Sequence, residues 1–219
     1  MKIEQLEIFI SNFEETVAFY KDVMQFEILS LTNGTASFQT GESTFTLHKD
    51  EEYNHFYHFA FNINTDTFKE AKNWVQARTV LSKEADEDEA EFEDAGAMAF
   101  YFEDPAGNIV EFIARETSPN ASESGFSPEN VLGVSEIGVT VKDMKREAER
   151  LIDMGILPRN NEPINYDKYL NFMGEYEDGV YIILAPLGRR WIFSDKKGVE
   201  APVIIKTNKG TLEFHNHSK

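Results

Sequence analysis

A chain of 219 residues, 41% apolar and 13% aromatic, can bury a real core as one domain or two small ones and lacks the composition of a disordered chain. Its net charge of −18 argues against nucleic acid or anionic membrane as a partner, since those are met by clustered Lys and Arg. With no cysteine, it has no disulfide, thiolate metal site or Cys nucleophile.

The N-terminal "MKIEQLEIFISNFEE" lacks a basic region followed by a long apolar run. No stretch approaches the ~20 apolar residues of a membrane span. The expectation is a cytoplasmic protein with no membrane partner.

One unit recurs along the chain: an alternating strand, a small polar cap and an amphipathic helix. The first copy is "IEQLEIFISNFEETVAFYKDVM". Leu6, Ile8 and Ile10 alternate with Gln5, Glu7 and Phe9, the period of a strand. Ser11 or Asn12 caps a helix, with Glu14 or Glu15 completing a capping box. Phe13, Val17, Tyr20 and Met24 share one helical face. The runs "FEILSLT", "TASFQTG" and "STFTLHK" then read as strands.

The second copy is "HFAFNINTDTFKEAKNWV". Phe59, Phe61 and Ile63 alternate with His58, Ala60 and Asn62. Thr67 with Glu70 suggests the cap, and Phe68, Ala71 and Val75 the buried stripe. The acidic run "EADEDEAEFEDAG", Glu84 to Gly96, reads as a solvated loop. The strands "AMAFYFED" and "NIVEFIAR" close this unit around a turn on Asp104, Pro105 and Gly107. A lone carboxylate, Glu111, stands in the second of them.

The Ser- and Pro-rich "ETSPNASESGFSPEN", residues 116–130, reads as a linker. The third copy, "EIGVTVKDMKREAERLIDMG", alternates Ile137, Val139 and Val141 with Glu136, Gly138 and Thr140. Asp143 caps a helix packing through Met144, Ala148, Leu151 and Ile152, and Gly155 takes the left-handed C-cap place. Strands "YLNFMGEY" and "GVYIILAPL" follow. The tail "APVIIKTNKGTLEFHN" offers only a hairpin. The fold class expected is α+β: repeated β-α-β-β-β units forming a cup-shaped mixed sheet, with an additional C-terminal unit. Residues 1–115 are expected to pair units 1–50 and 55–115 in one domain. Residues 131–219 would form an incomplete second domain ending in the hairpin.

The motifs "SNFEETVAFYKDVMQF" and "FEDPAGNIVEFI" resemble the vicinal oxygen chelate superfamily, which includes glyoxalase I, fosfomycin and bleomycin resistance proteins and extradiol dioxygenases. The resemblance covers residues 1–115 and is visible, more weakly, over 131–187, where "GEYEDGVYIILAPLGRRW" looks like the same closing hairpin. It implies paired units whose strands form a cup around a divalent metal (Zn, Mn, Ni or Fe). Carried over by position, the implied ligands are Gln5, His58 and Glu111. The fourth position holds Thr46, a departure from the family, with His48 two residues on sharing its face. An imidazole, a carboxylate and an amide oxygen suit such metals and leave positions open for a small bidentate oxygen ligand.

Glu111 or Glu7 would move a proton. His55 is expected to be solvated, and His215 and His217 are assigned no role. In the third unit Glu136 takes the first-strand position, but Ile183 stands where Glu111 does, so this unit reads as structural or dimer-forming, with homodimerisation as the expectation. The resemblance implies a glyoxalase-like metal-dependent enzyme acting on a small substrate with adjacent oxygens: a lyase, isomerase or transferase. Extradiol ring cleavage is the runner-up within that class. The alternative from another class is a metal-free protein that binds or sequesters a small molecule, with Phe9, Tyr101 and Trp191 as lining aromatics.

Overall fold

The computed structural model describes residues 1–121 and 125–215. His217 and the linker residues 122–124 lie outside them. The first unit comprises β1 (Ile3–Ile10), α1 (Phe13–Ala18) running on into a π-helical turn (Phe19–Val23), β2 (Glu27–Leu31), β3 (Thr35–Thr40) and β4 (Ser43–Lys49). The second comprises β5 (His58–Ile63), α2 (Phe68–Gln76), β6 (Ala90–Phe92), β7 (Ala97–Glu103) and β8 (Ile109–Arg115). The third has β9 (Val131–Val141), α3 (Met144–Asp153), β10 (Asn171–Met173) and β11 (Tyr181–Pro186), and the tail forms the hairpin β12 (Val203–Thr207) and β13 (Gly210–Phe214).

The helix faces follow the periodicity. Phe13, Val17, Tyr20 and Met24 are buried, as are Phe68, Ala71, Val75, Met144, Ala148 and Leu151. Ile152, expected in the buried stripe, is exposed instead. The Asp143 carboxylate accepts from the Arg146 N–H at 3.0 Å, a side-chain cap. At the head of α1, Asn12 instead turns its side chain to Glu15.

The pairing of units differs from the sequence expectation. One sheet has six strands in the order β13-β12-β1-β4-β3-β2, and the other seven, β10-β11-β9-β5-β8-β7-β6. The first unit therefore joins the tail hairpin through β1 and β12, antiparallel. The second joins the third through β5 and β9, also antiparallel. Units one and two do not share a sheet, and the third unit is no separate layer awaiting a partner. The hairpin covers the edge of β1 that would otherwise be open. Periodicity specifies each unit but not which edge meets which, because that choice rests on contacts distant in sequence.

The two sheets turn apolar faces toward one core. Leu6, Ile8, Phe38, Phe45 and Leu47 from one meet Phe59, Phe61, Phe100 and Phe112 from the other. Phe45 lies 5.1 Å from Phe59, ring centre to ring centre. Fully burying each such side chain contributes about 1.5–3 kcal/mol. Strand alternation then turns the other residues of each sheet away from this core, giving two open faces on opposite sides.

The turn after β7 fixes what the second sheet presents. Asp104 accepts from the backbone and side chain of Asn108 at 2.9 and 2.8 Å, and from the Tyr20 hydroxyl at 2.8 Å. Asn108 in turn accepts from the Tyr57 N–H at 2.9 Å, just ahead of β5. Gly107 has φ +78°, a conformation that favours glycine. So pinned, the register sets Tyr101 opposite Glu111 and Glu111 beside Ala60. A one-residue slip would turn Glu111 into the core.

Candidate metal centre and its cavity

On the open face of the seven-stranded sheet, β5 presents His58, β8 presents Glu111 and β9 presents Glu136. All three are buried. They offer one imidazole nitrogen and two carboxylate oxygens within 4.8 Å of one another. The antiparallel seam brings them together, since Glu136 faces Ala60 across it and Ala60 pairs with Glu111 on its other side.

The histidine is oriented for ligation. His58 Nδ1 lies 3.2 Å from the Ile109 carbonyl. That oxygen can only accept, so the proton sits on Nδ1 and the Nε2 lone pair faces inward. Burial lowers the His58 pKa, and Glu136 and the Ile109 carbonyl only partly offset it. Burial and then the Glu136 charge push the Glu111 carboxyl well above the usual range, against the pull of Arg115 and the Tyr101 hydroxyl. Burial thus works against an ion pair at the 3.5 Å approach of His58 Nε2 to Glu111, since it disfavours the charged form of each group.

Arg115, at the end of β8, pairs with Glu136 and donates to the Ser135 hydroxyl at 3.3 Å. Two buried carboxylates thus face one guanidinium. With both carboxylates ionised the donor set is short of one positive charge, and the His58 Nε2 lone pair is turned toward it; both fit a divalent cation.

The three residues line a cavity of about 680 Å³ with Tyr101, Phe172, Tyr181, Ile183 and Trp191 among its walls. After β11 the chain forms a strap over this cavity, closed by Gly188 N–H to the Gly198 carbonyl at 2.9 Å and Trp191 N–H to the Lys196 carbonyl at 3.0 Å. Trp191 lies 4.8 Å from His58 between ring centres. Phe193 stacks on Tyr101 at 4.5 Å. A Cβ at Gly138 would come within 2.5 Å of the Trp191 ring, so the indole needs a glycine beneath it. Glu84 anchors the strap by pairing with Arg190 and accepting from the Phe193 N–H at 2.8 Å. Lys196 anchors its far end to Glu103 at 2.7 Å.

The acidic run from Glu84 to Gly96 is thus more than a solvated loop. Glu84 holds the strap, Asp88 and Glu89 pair with Lys72 at 2.5 and 2.8 Å, and Glu91, Glu93 and Asp94 stand along the cavity.

Of the ligands expected from sequence, the structure brings His58 and Glu111 together. Gln5 and His48 belong to the other sheet. Gln5 Oε1 accepts from Lys206 at 2.8 Å, and His48 Nε2 contacts Glu7 at 2.6 Å. Glu7, the second carboxylate expected to move a proton, is held there by His48 and Lys206. Thr46 contacts the Ser37 hydroxyl at 3.0 Å. Phe9 stacks on His48 and lines no part of the cavity. His55 is buried near Asp50 rather than solvated, and His215 carries only an exposed contact to Glu213. Sequence reasoning missed Glu136 as the third member. The signal was present, since Gln5, His58 and Glu136 each stand five residues before the last residue of their strand.

Residues 2–112 match the family model described as Glyoxalase/Bleomycin resistance protein/Dioxygenase superfamily. Residues 134–189 match the model described as toxoflavin-degrading enzyme. No curated protein matches the chain. Among solved structures, a candidate dioxygenase from Bacillus subtilis subsp. subtilis str. 168 aligns over 100% of this chain and 86% of its own, at 14% identity and a TM-score of 0.59. At that identity it speaks for the fold alone. A lactoylglutathione lyase from Agrobacterium tumefaciens covers 51% of this chain and 92% of its own at 22% identity, with a TM-score of 0.44.

Proposed function

The chain belongs to the glyoxalase/bleomycin resistance protein/dioxygenase superfamily, and from that premise we propose that His58, Glu111 and Glu136 hold a divalent metal and that the cavity above them is an active site. The substrate class is a small molecule with adjacent oxygens. The observation that carries this reading is the buried convergence of one imidazole and two carboxylates. An oxygen-rich set of this kind suits Mn²⁺ or Fe²⁺, and Zn²⁺ remains compatible.

When bound, the metal supplies Lewis-acid polarisation of substrate oxygens. The chain's own residues do the rest. The Ile109 carbonyl fixes the His58 tautomer, and Arg115 orients Glu136. The Tyr101 hydroxyl beside Glu111 keeps its proton, since burial and then the Glu111 charge raise its pKa. Trp191 excludes water from one wall, and Phe193 backs Tyr101. Lyase or isomerase chemistry and ring-cleaving oxygenation both begin from a substrate with two adjacent oxygens held in this way. A single histidine among the three donors counts against the usual two-histidine iron triad.

A second reading, a metal-free protein that sequesters a small molecule, is favoured by the Arg115 pairing, which already compensates Glu136. It leaves Glu111 without a cation of its own. Calorimetric titration with Mn²⁺, Fe²⁺ and Zn²⁺ decides between the two. The wild type is expected to bind one equivalent, and Glu111→Gln and Glu136→Gln to bind at least about tenfold more weakly. No binding at millimolar metal, or equal binding by both variants, would leave the sequestering protein as the better account.

A further inference from the structure

The cavity contains three guanidinium groups, and two are committed. Arg115 pairs with Glu136. Arg159 lies 3.0 Å from Glu162 and stacks over Phe172 at 4.6 Å. Arg189, on the strap beside Trp191, is different. It lines the same cavity and is half-buried. Among the described residues no carboxylate lies within ion-pair distance of it, and its one side-chain hydrogen bond runs to the Arg190 carbonyl at 3.1 Å. Its remaining donors have no protein acceptor among the described residues. Burial and the neighbouring Arg190 charge both lower its pKa, as expected of a cation without a counter-charge.

The surrounding walls restrict what could supply that counter-charge. Trp191, Tyr101, Phe172 and Tyr181 present flat aromatic surface, which favours a planar conjugated ligand. Glu91, Glu93 and Asp94, all exposed, line the same cavity and repel a ligand of high negative charge. One free guanidinium matches one monoanionic group, and a planar fork matches a carboxylate best.

We propose that Arg189 is the anion-recognising residue of this cavity and that the substrate is a planar conjugated acid, with a carboxylate on Arg189 and adjacent oxygens directed at His58, Glu111 and Glu136. The adjacent-oxygen half rests on the metal-centre reading, and the carboxylate half does not. The carboxylate on Arg189 fixes which end of the ring faces the three donors.

Three probes of one shape test this: 3,4-dihydroxybenzoate, its carboxamide, and catechol. Each is titrated calorimetrically into metal-loaded and metal-free protein, in the wild type, Arg189→Gln and Arg189→Lys. The wild type is expected to prefer the carboxylate over the carboxamide by about tenfold or more, the range of a charge-assisted hydrogen bond. Arg189→Gln should bring the ratio close to one and Arg189→Lys should keep part of it. Catechol affinity should be the same in all three proteins. Because each ratio is read within one protein, a general loss of stability does not imitate the effect. A wild-type ratio near one, a ratio retained in Arg189→Gln, or no binding of the carboxylate probe at millimolar concentration overturns the assignment. The metal-centre reading fails separately: the metal itself would not titrate, while a carboxylate preference in metal-free protein would stand.

Discussion

The two open faces of this molecule start from the same strand positions and arrive at opposite chemistry. In the seven-stranded sheet the three positions hold His58, Glu111 and Glu136. In the six-stranded sheet Gln5 stands for His58 and Thr46 for Glu111. Ile204 stands for Glu136, because it faces Glu7 across the seam as Glu136 faces Ala60. One face gathers two buried carboxylates around a neutral imidazole under an aromatic strap. The other has a cation of its own, Lys206, within 3.1 Å of Glu7 and 2.8 Å of Gln5. Its histidine is matched to a carboxylate at 2.6 Å, and its polar groups are partly exposed, with the Lys206 side chain at 45%. A repeated scaffold thus does not repeat its site. The difference lies in one carboxylate: Arg115 is committed to Glu136 and leaves Glu111 without a cation, whereas Glu7 has Lys206.

The most direct way to break the comparison is to exchange its expectations at one position. His58→Ala should weaken metal binding by more than about 100-fold, beyond what loss of an outer partner costs. Gln5→Ala, at the equivalent strand position, should leave metal affinity unchanged. Both are read by the same calorimetric titration. Equal losses from the two variants would mean that the faces are not chemically distinct.

The cover over one face is the next contrast. Gly138→Ala places a methyl against Trp191, and the strap must shift because Glu84 and Lys196 hold its ends. The expected cost is about 1–3 kcal/mol, as for other overpacked sites. Tryptophan emission should move to longer wavelength as the indole becomes wetter. Trp74, packed near Phe126 at 5.5 Å, provides the unshifted background. An unchanged spectrum and melting temperature would show that the strap does not depend on that contact.

Much of this was legible in the chain, and the gap has one cause. Alternation and helical spacing located the three repeated units, and "DPAGN" located the turn that aims Glu111. His58 and Glu111 followed from their places within one unit. Glu136 was equally visible, at the same distance from its strand end. Within its own unit it has no partner, because Ile183 stands where Glu111 does, and its partners come from the second unit, which the sequence expectation pairs with the first. Nothing local distinguishes the edge of β1 from that of β9 as a partner for β5, since both are alternating strands of similar character. What decides is the tail hairpin seating on β1 and the long β9 following β5, and both are contacts distant in sequence. Gln5, Glu7 and His48 were placed on the inward face of a cup, and the face is indeed turned from the core. It is the open face of the other sheet.

The finest test concerns the face that carries its own cation. Burial alone would raise the Glu7 pKa, but hydrogen bonds from His48 and Lys206 outweigh it, and the net shift is below the ordinary value of 4.5. A carboxylate depressed in the folded state binds protons more weakly there than in the unfolded chain. Its stabilising contribution is therefore complete above the unfolded value and fades as pH falls through the folded one. Glu7→Gln should accordingly be less stable than the wild type at neutral pH, with the difference shrinking as pH drops below about 4.5. The effect should be small, roughly 1 kcal/mol or less, because Lys206 is substantially solvated. Added salt should reduce it further at neutral pH. Urea midpoints for the two proteins at neutral and acid pH, with and without salt, provide the measurement. A difference that stays constant with pH would mean that Glu7 holds its partners by shape and hydrogen bonding alone, and that the two faces differ in geometry more than in charge.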